Sequence, residues 1–187
     1  VMRMATDAGH RVVLVVATRG ECGEVNEGFL DPGETLGQRR EAEQRRAATE
    51  LGVARLEFLG YRDSGMIGEP TNDDPECFWQ ADVEAAAQRL AVILAEENAE
   101  VLTCYDAHGG YGHPDHIQVH RVGHRAAQIA GTPRVYESTM NRTRIAEMRA
   151  MATEATSDAP EAGPDAPDMP DISESDTFGS PDEAITT

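Results

Sequence analysis

Two hydrophobic regimes alternate along this chain. Residues 12–18 (Val-Val-Leu-Val-Val-Ala-Thr) are apolar or β-branched without a break. That is the pattern of a strand buried on both faces. Thr35 and Gln38 stand at capping-box spacing, and the helix they open runs to about Leu51, where Gly52 is the stop signal. Residues 53–59 predict a second strand, and residues 60–80 a loop rich in Gly, Pro, Asn and Asp. Val83, Ala86, Ala87, Leu90, Ile93 and Leu94 then recur at helical spacing up to Asn98. Residues 100–105 predict a strand. Pro114 suits the first position of a helix that ends near Gly131, and residues 134–137 predict a last strand. Residues 2–10 look like the end of a helix with Gly9 at its C-cap. Strands alternating with helices predict an α/β protein, a mostly parallel sheet with helices on both faces.

Composition divides the chain. Residues 1–149 hold all 16 basic residues and 24 of the 34 acids, so the net charge of −18 is concentrated towards the C-terminus. Residues 1–150 read as one domain. Residues 151–187, rich in Ala, Pro, Asp and Glu, cannot bury enough apolar area to offset their ordering entropy and are expected to be disordered, with an acidic partner-binding tail as the alternative. No basic patch suits nucleic acid. No apolar run approaches the roughly 18–20 residues of a membrane span, and the first residues lack the apolar stretch of a signal peptide. Cys22, Cys77 and Cys104 are scattered and odd in number, as expected for reduced thiols in a cytoplasmic protein. Nothing in the sequence sets an oligomeric state.

The densest chemistry lies in Gly109-Gly110-Tyr111-Gly112-His113-Pro114-Asp115-His116, because five of the six histidines fall between positions 108 and 124. This string follows a predicted strand and opens a predicted helix, and such turns are where open α/β folds bind ligands. With the helix starting at Pro114, His113 sits near the N-cap and His116 in the first turn. The positive end of the helix dipole disfavours imidazolium there, and a metal requires the neutral ring. Asp115 is placed to orient a histidine. His120 and His124 follow at four-residue steps that lead away from the crevice. They read as structural residues in preference to a third ligand.

Four segments in register resemble the PIG-L/LmbE family of zinc-dependent N-deacetylases. They are Thr18-Arg19-Gly20-Glu21-Cys22-Gly23-Glu24; Arg40-x-x-Glu43 with Ala47-Ala48 and Leu51-Gly52-Val53; Tyr61-Arg62-Asp63-Ser64-Gly65-Met66; and residues 111–116. The resemblance implies a Rossmann-like, LmbE-like fold with a Zn2+ cofactor, another divalent metal being possible. It also implies hydrolysis of an N-acyl amide on a small amino sugar or glycoside conjugate, as in the mycothiol pathway. By the same resemblance His116 is a metal ligand, His113 stabilises the oxyanion, Asp115 orients His113 and Tyr111 assists at the tetrahedral intermediate. Glu24, Arg40 and Asp63 match positions that contact the sugar or polyol. Arg40 with Glu43 also suits a helix-surface ion pair, and Asp63-Ser64-Gly65 a plain turn. Gly20-x-x-Gly23 lacks the G-x-G-x-x-G spacing of a dinucleotide site.

The family's first strand ends in an Ala-His-Pro-Asp-Asp string that supplies two metal ligands and the general base. That string is absent from these 187 residues. The chain therefore reads as starting within the helix after it, without the first strand, and is expected to be inactive by itself. The alternative is a family remnant that binds a glycoside or a protein partner without turnover. Residues 178–187 also resemble a family segment that continues into further structure.

Overall fold

The computed structural model describes residues 1–155 and 178–186. In chain order the elements are α1 (Met2–Asp7), β1 (Val13–Val16), α2 (Leu36–Glu50), β2 (Arg55–Phe58), α3 (Val83–Glu96), β3 (Val101–Tyr105), α4 (Gly109–Gly112), α5 (Pro114–Ala130), β4 (Arg134–Ser138) and α6 (Arg142–Ala155). All strand pairing is parallel among the described residues. β1 pairs with β2, Val13 opposite Arg55, and β3 pairs with β4, Val101 opposite Arg134. Parallel strands alternate with helices, as the sequence pattern implies.

Local chemistry explains the helix boundaries. The Thr35 hydroxyl accepts from the Gln38 amide (3.3 Å) while the Gln38 side chain accepts from the Thr35 amide (2.9 Å), which satisfies two orphan donors of α2. Asp82 caps α3 through the Ala85 amide (2.8 Å). α5 stops at Gly131, whose φ of 72° lies in the left-handed region.

The core forms where α3 packs along α5 and α5 lies on β3. Phe78, Ala86, Ala87, Leu90, Ala91, Leu94, Val122 and Ala126 make one buried cluster, with Val15, Ala17 and Leu102 against it. Alanines on both helices let their backbones approach closely. The Phe78 ring lies in this cluster, 5.0 Å from Tyr61. The cluster grips α5 through Val122 and Ala126, while the bonds from Ser64 to Asp115 tie its N-terminal end to the loop at residues 61–66.

One expectation needs correction. β1 is half-buried at every position instead of buried on both faces, because its strand pairing among the described residues runs along one edge only. α1 stops at Gly9 as expected: Ala8 is its cap, Gly9 has φ +85°, and the Gly9 and His10 amides donate to the Thr6 and Ala5 carbonyls (both 3.0 Å). α6 runs past position 151 to Ala155. Residues 178–186 are also placed: Gly179 donates to the Gly110 carbonyl (3.0 Å) and Ser180 to that of Met140 (2.9 Å). Residues 156–177 and 187, on which the expectation of disorder chiefly falls, lie outside the described residues.

Replacing Phe78 by Ala empties a fully buried ring site and is expected to cost about 3–5 kcal/mol. Urea unfolding should show a lowered midpoint at unchanged slope. A loss below about 1 kcal/mol, the level of a surface change, would show that this cluster does not organise the fold.

Candidate active site

The histidine string is shaped by one buried carboxylate at the end of β3. Asp106 is 2% exposed. Its side chain accepts from the amides of His108 (3.1 Å) and Gly110 (2.8 Å) and from the Thr139 hydroxyl. The backbone is thus wound tightly around it. Gly110, at φ 72° and ψ −61°, is outside helical geometry, so α4 is a kinked turn and not a true helix. Gly109 has φ +62°, and a Cβ there would stand 2.8 Å from the Cβ of His116 and from the Ile117 amide nitrogen. Only glycine lets the turn approach the first turn of α5 so closely.

That approach fixes the protonation pattern of the two histidines. The Nδ1 of His116 lies 3.1 Å from the Gly109 carbonyl oxygen. A carbonyl can only accept, so His116 carries its proton on Nδ1 and presents a lone pair at Nε2. His113 is the N-cap of α5, and its Nδ1 accepts from the Asp115 amide (3.2 Å). An amide can only donate, so neutral His113 carries its proton on Nε2. Two histidines three residues apart are therefore held in opposite tautomers, one an acceptor and the other a donor. The two rings stack with centroids 4.7 Å apart and planes inclined by 25°, and His116 lies nearly parallel on Tyr105 at 4.0 Å. Tyr111 is half-exposed and stands edge-on to both, at 6.2 and 5.1 Å. Burial, and to a lesser degree the neighbouring His113, pushes the pKa of His116 below the ordinary imidazole value. A neutral ring with its second nitrogen tied to a carbonyl fits a metal ligand.

Asp115 is buried and bonded twice to Ser64, 51 residues earlier. The Ser64 amide donates to Oδ2 (3.2 Å) and the Ser64 hydroxyl to Oδ1. Its carboxylate therefore positions the turn through Ser64, while its backbone amide holds His113. Desolvation pushes the Asp115 carboxyl above the usual carboxylate range, against the bonds from Ser64. Asp63 lies beside this pair. Its carboxylate accepts from Cys22 (3.1 Å) and Gly65 (2.9 Å), which ties the loop after β1 to the loop after β2. Burial, followed by the charge of Asp63, raises the Cys22 thiol.

The sequence-designated residues thus divide. His113, His116, Tyr111 and Asp115 share one turn, with Asp63 joined to it through Ser64. Arg40 lies elsewhere on the loop side. Its guanidinium donates to the Gly20 carbonyl (2.9 Å) and borders a hollow of about 350 Å³ with Thr18, Glu43 and Phe58. A methyl group at Gly20 or Gly23 would overlap that guanidinium, so these glycines seat an arginine. Glu24 lines a separate hollow of about 550 Å³ with Val25 and Asn26. Sequence reasoning gave no site role to Tyr105, Asp106, Ser64 or Gly109 individually, although Ser64 and Gly109 lie inside the segments it marked. Asp106 carried the only separate signal, an acid directly after a predicted strand.

The family model for GlcNAc-PI de-N-acetylase, PIG-L, matches residues 1–127. The chain belongs to the PIG-L family. Among curated PIG-L relatives, a 1D-myo-inositol 2-acetamido-2-deoxy-alpha-D-glucopyranoside deacetylase of Thermobifida fusca is 42% identical, over 99% of this chain and 68% of the relative. Deacetylases of the same name from Thermomonospora curvata and Nocardiopsis dassonvillei are 40% and 52% identical, over 96% and 66% of this chain and 64% and 47% of their own lengths. The chain therefore spans about half to two thirds of the relatives it matches. N,N'-diacetylchitobiose deacetylase from Pyrococcus horikoshii shares the fold, with a TM-score of 0.52 at 22% identity, over 71% of this chain and 44% of that one. The zinc inhibited form of teicoplanin deacetylase Orf2 also has a TM-score of 0.52, at 18% identity, over 71% and 58%.

Ser64→Ala removes a donor from Asp115 and also the acceptor of the Trp79 amide (2.9 Å). The expected loss at neutral pH is about 1–3 kcal/mol. Because its folded pKa is raised, Asp115 contributes most to stability below the ordinary aspartate value, and this contribution fades as pH rises through the folded pKa. Losing the Ser64 hydroxyl raises the folded pKa further. The deficit of the variant should therefore grow with rising pH and shrink in acid. Urea titrations across pH measure it, and a deficit independent of pH would assign the whole loss to Trp79.

Proposed function

We propose that this chain carries one side of a metal-dependent N-deacetylase site that hydrolyses the N-acetyl amide of a 2-acetamido-2-deoxyglucoside, such as an inositol glycoside. The observation that carries the reading is the pair of opposite tautomers at His113 and His116. In this reading His116 Nε2 is one ligand of a zinc or other divalent ion. The bound ion would supply Lewis-acid polarisation of the amide carbonyl and activation of water. This chain offers His116 but not the His-Pro-Asp-Asp string of the resemblance, so the fit to the metal is partial.

The chain's own residues then have separate tasks. His113 donates its Nε2 proton in a hydrogen bond to the carbonyl oxygen as negative charge develops there. Tyr111, edge-on to both rings, offers its hydroxyl to the same tetrahedral centre. Asp115 is a positioning residue that holds the turn through Ser64. Asp63, Arg40 and Glu24 meet the hydroxyl groups of the sugar or polyol, Asp63 from beside the histidines and the other two from the loop side. The scattered thiols support a reducing, cytoplasmic setting. No helix among the described residues is long and apolar enough to cross a membrane.

The chain alone, supplied with zinc, is expected to release no acetate from N-acetylglucosaminyl-inositol. The same chain joined to a segment bearing the His-Pro-Asp-Asp string should release it. In that joined protein His116→Ala should abolish metal-dependent turnover, and His113→Ala should lower kcat by about 10²–10³-fold with zinc still bound. Full activity in His113→Ala, or no turnover in a zinc-loaded joined protein, would refute the reading.

A further inference from the structure

One turn below the catalytic string, α5 carries a second cluster of donors that the proposed reaction does not use. The Sγ of Cys104 and one ring nitrogen each of His120 and His124 lie within 4.8 Å of one another. Cys104 comes from β3 and is buried. His120 and His124 come from successive turns of α5, with ring centroids 4.5 Å apart. Gly123 makes the meeting possible, because a Cβ there would stand 3.2 Å from the Cβ of Cys104 and 3.5 Å from its Sγ.

A fourth donor arrives from β4. One Glu137 carboxylate oxygen lies 2.7 Å from His124 Nε2 and 3.4 Å from His120 Nδ1. Two imidazoles thus flank a single oxygen beside a thiol, and because His120 Nδ1 donates to the Tyr105 carbonyl (3.2 Å), Nε2 is the nitrogen that His120 offers a metal. We propose that Cys104, His120, His124 and Glu137 form a second metal site, taking one tetrahedral zinc-type divalent ion.

The donor chemistry selects this ion. One thiolate, two imidazoles and a carboxylate suit Zn2+ or Co2+, whereas Mg2+ and Ca2+ require oxygen cages. Ligand atoms of a tetrahedral zinc site stand roughly 3.3–3.8 Å apart, given bonds of about 2.0–2.3 Å. Closing the site takes side-chain rotations that bring the three clustered donors and Glu137 to these separations. Burial, with the charges of Glu137 and Asp106, raises the unliganded Cys104 thiol to about 11. On binding, the thiol releases its proton to water as the metal–sulfur bond forms. The half-exposed His124 leaves a way in from solvent. A bound ion would pin α5 to β3 and β4 directly beneath His116.

The test is titration of the full chain with Co2+ alone, read by absorption. A thiolate-to-cobalt charge-transfer band and intense tetrahedral d–d bands are expected, saturating at one ion. Cys104→Ser should lose the charge-transfer band. His124→Ala, at a half-exposed position that folding tolerates, should lose it or weaken its affinity at least tenfold. His116→Gln should keep it, which separates this site from the proposed deacetylase ligand. Absence of the band in the unmodified chain, its persistence in Cys104→Ser, unchanged affinity in His124→Ala, or its loss in His116→Gln would each overturn the proposal.

Discussion

The chemistry of this chain depends on two hydrogen bonds that force neighbouring histidines into opposite tautomers. A backbone carbonyl faces Nδ1 of His116 and a backbone amide faces Nδ1 of His113. Neither backbone group can reverse its role, so the side chains must comply. One ring presents a lone pair and the other a proton, within one turn of the same helix. In the proposed metal-assisted amide hydrolysis, this division would separate coordination from oxyanion stabilisation.

Much of the surrounding structure serves to keep those bonds in place. Asp106 winds the turn from inside, and Gly109 allows it to touch α5. Asp115 leaves the N-terminus of α5 with its carboxylate in the core, where Ser64 receives it. Stacking on Tyr105 fixes the rotation of the His116 ring. Burial costs the ionised form of Asp115 and the protonated form of His116, so both are held by their partners instead of by water. The packing of α3 on α5 keeps the helix itself from shifting.

The order of strands and helices was legible because each element carries an uninterrupted periodic signal and a cap. Thr35 with Gln38, Pro114 and Gly131 mark boundaries that recur in the structure. The string at residues 109–116 was legible for the same reason, since its chemistry is contiguous. The partners of that string were not. Ser64 meets Asp115 across 51 residues, and Gly109 meets His116 through a turn whose shape follows from a buried acid. Gly20 and Gly23 read as loop glycines, yet their missing side chains make room for Arg40, a tertiary fact with no local trace. α6 lies where the periodic signal gives way to acidic composition, so the pattern did not mark it. The fit of Cys104 against Gly123 joins a strand to a helix face, which periodicity alone does not align.

The most direct measurement is the nitrogen-15 spectrum of the imidazole rings, with each nitrogen assigned through its couplings to the ring protons. The account predicts, near neutral pH, a non-protonated Nε2 with a protonated Nδ1 at His116, and the reverse at His113. The same tautomer in both rings, or averaged shifts showing that neither ring is fixed, would contradict it.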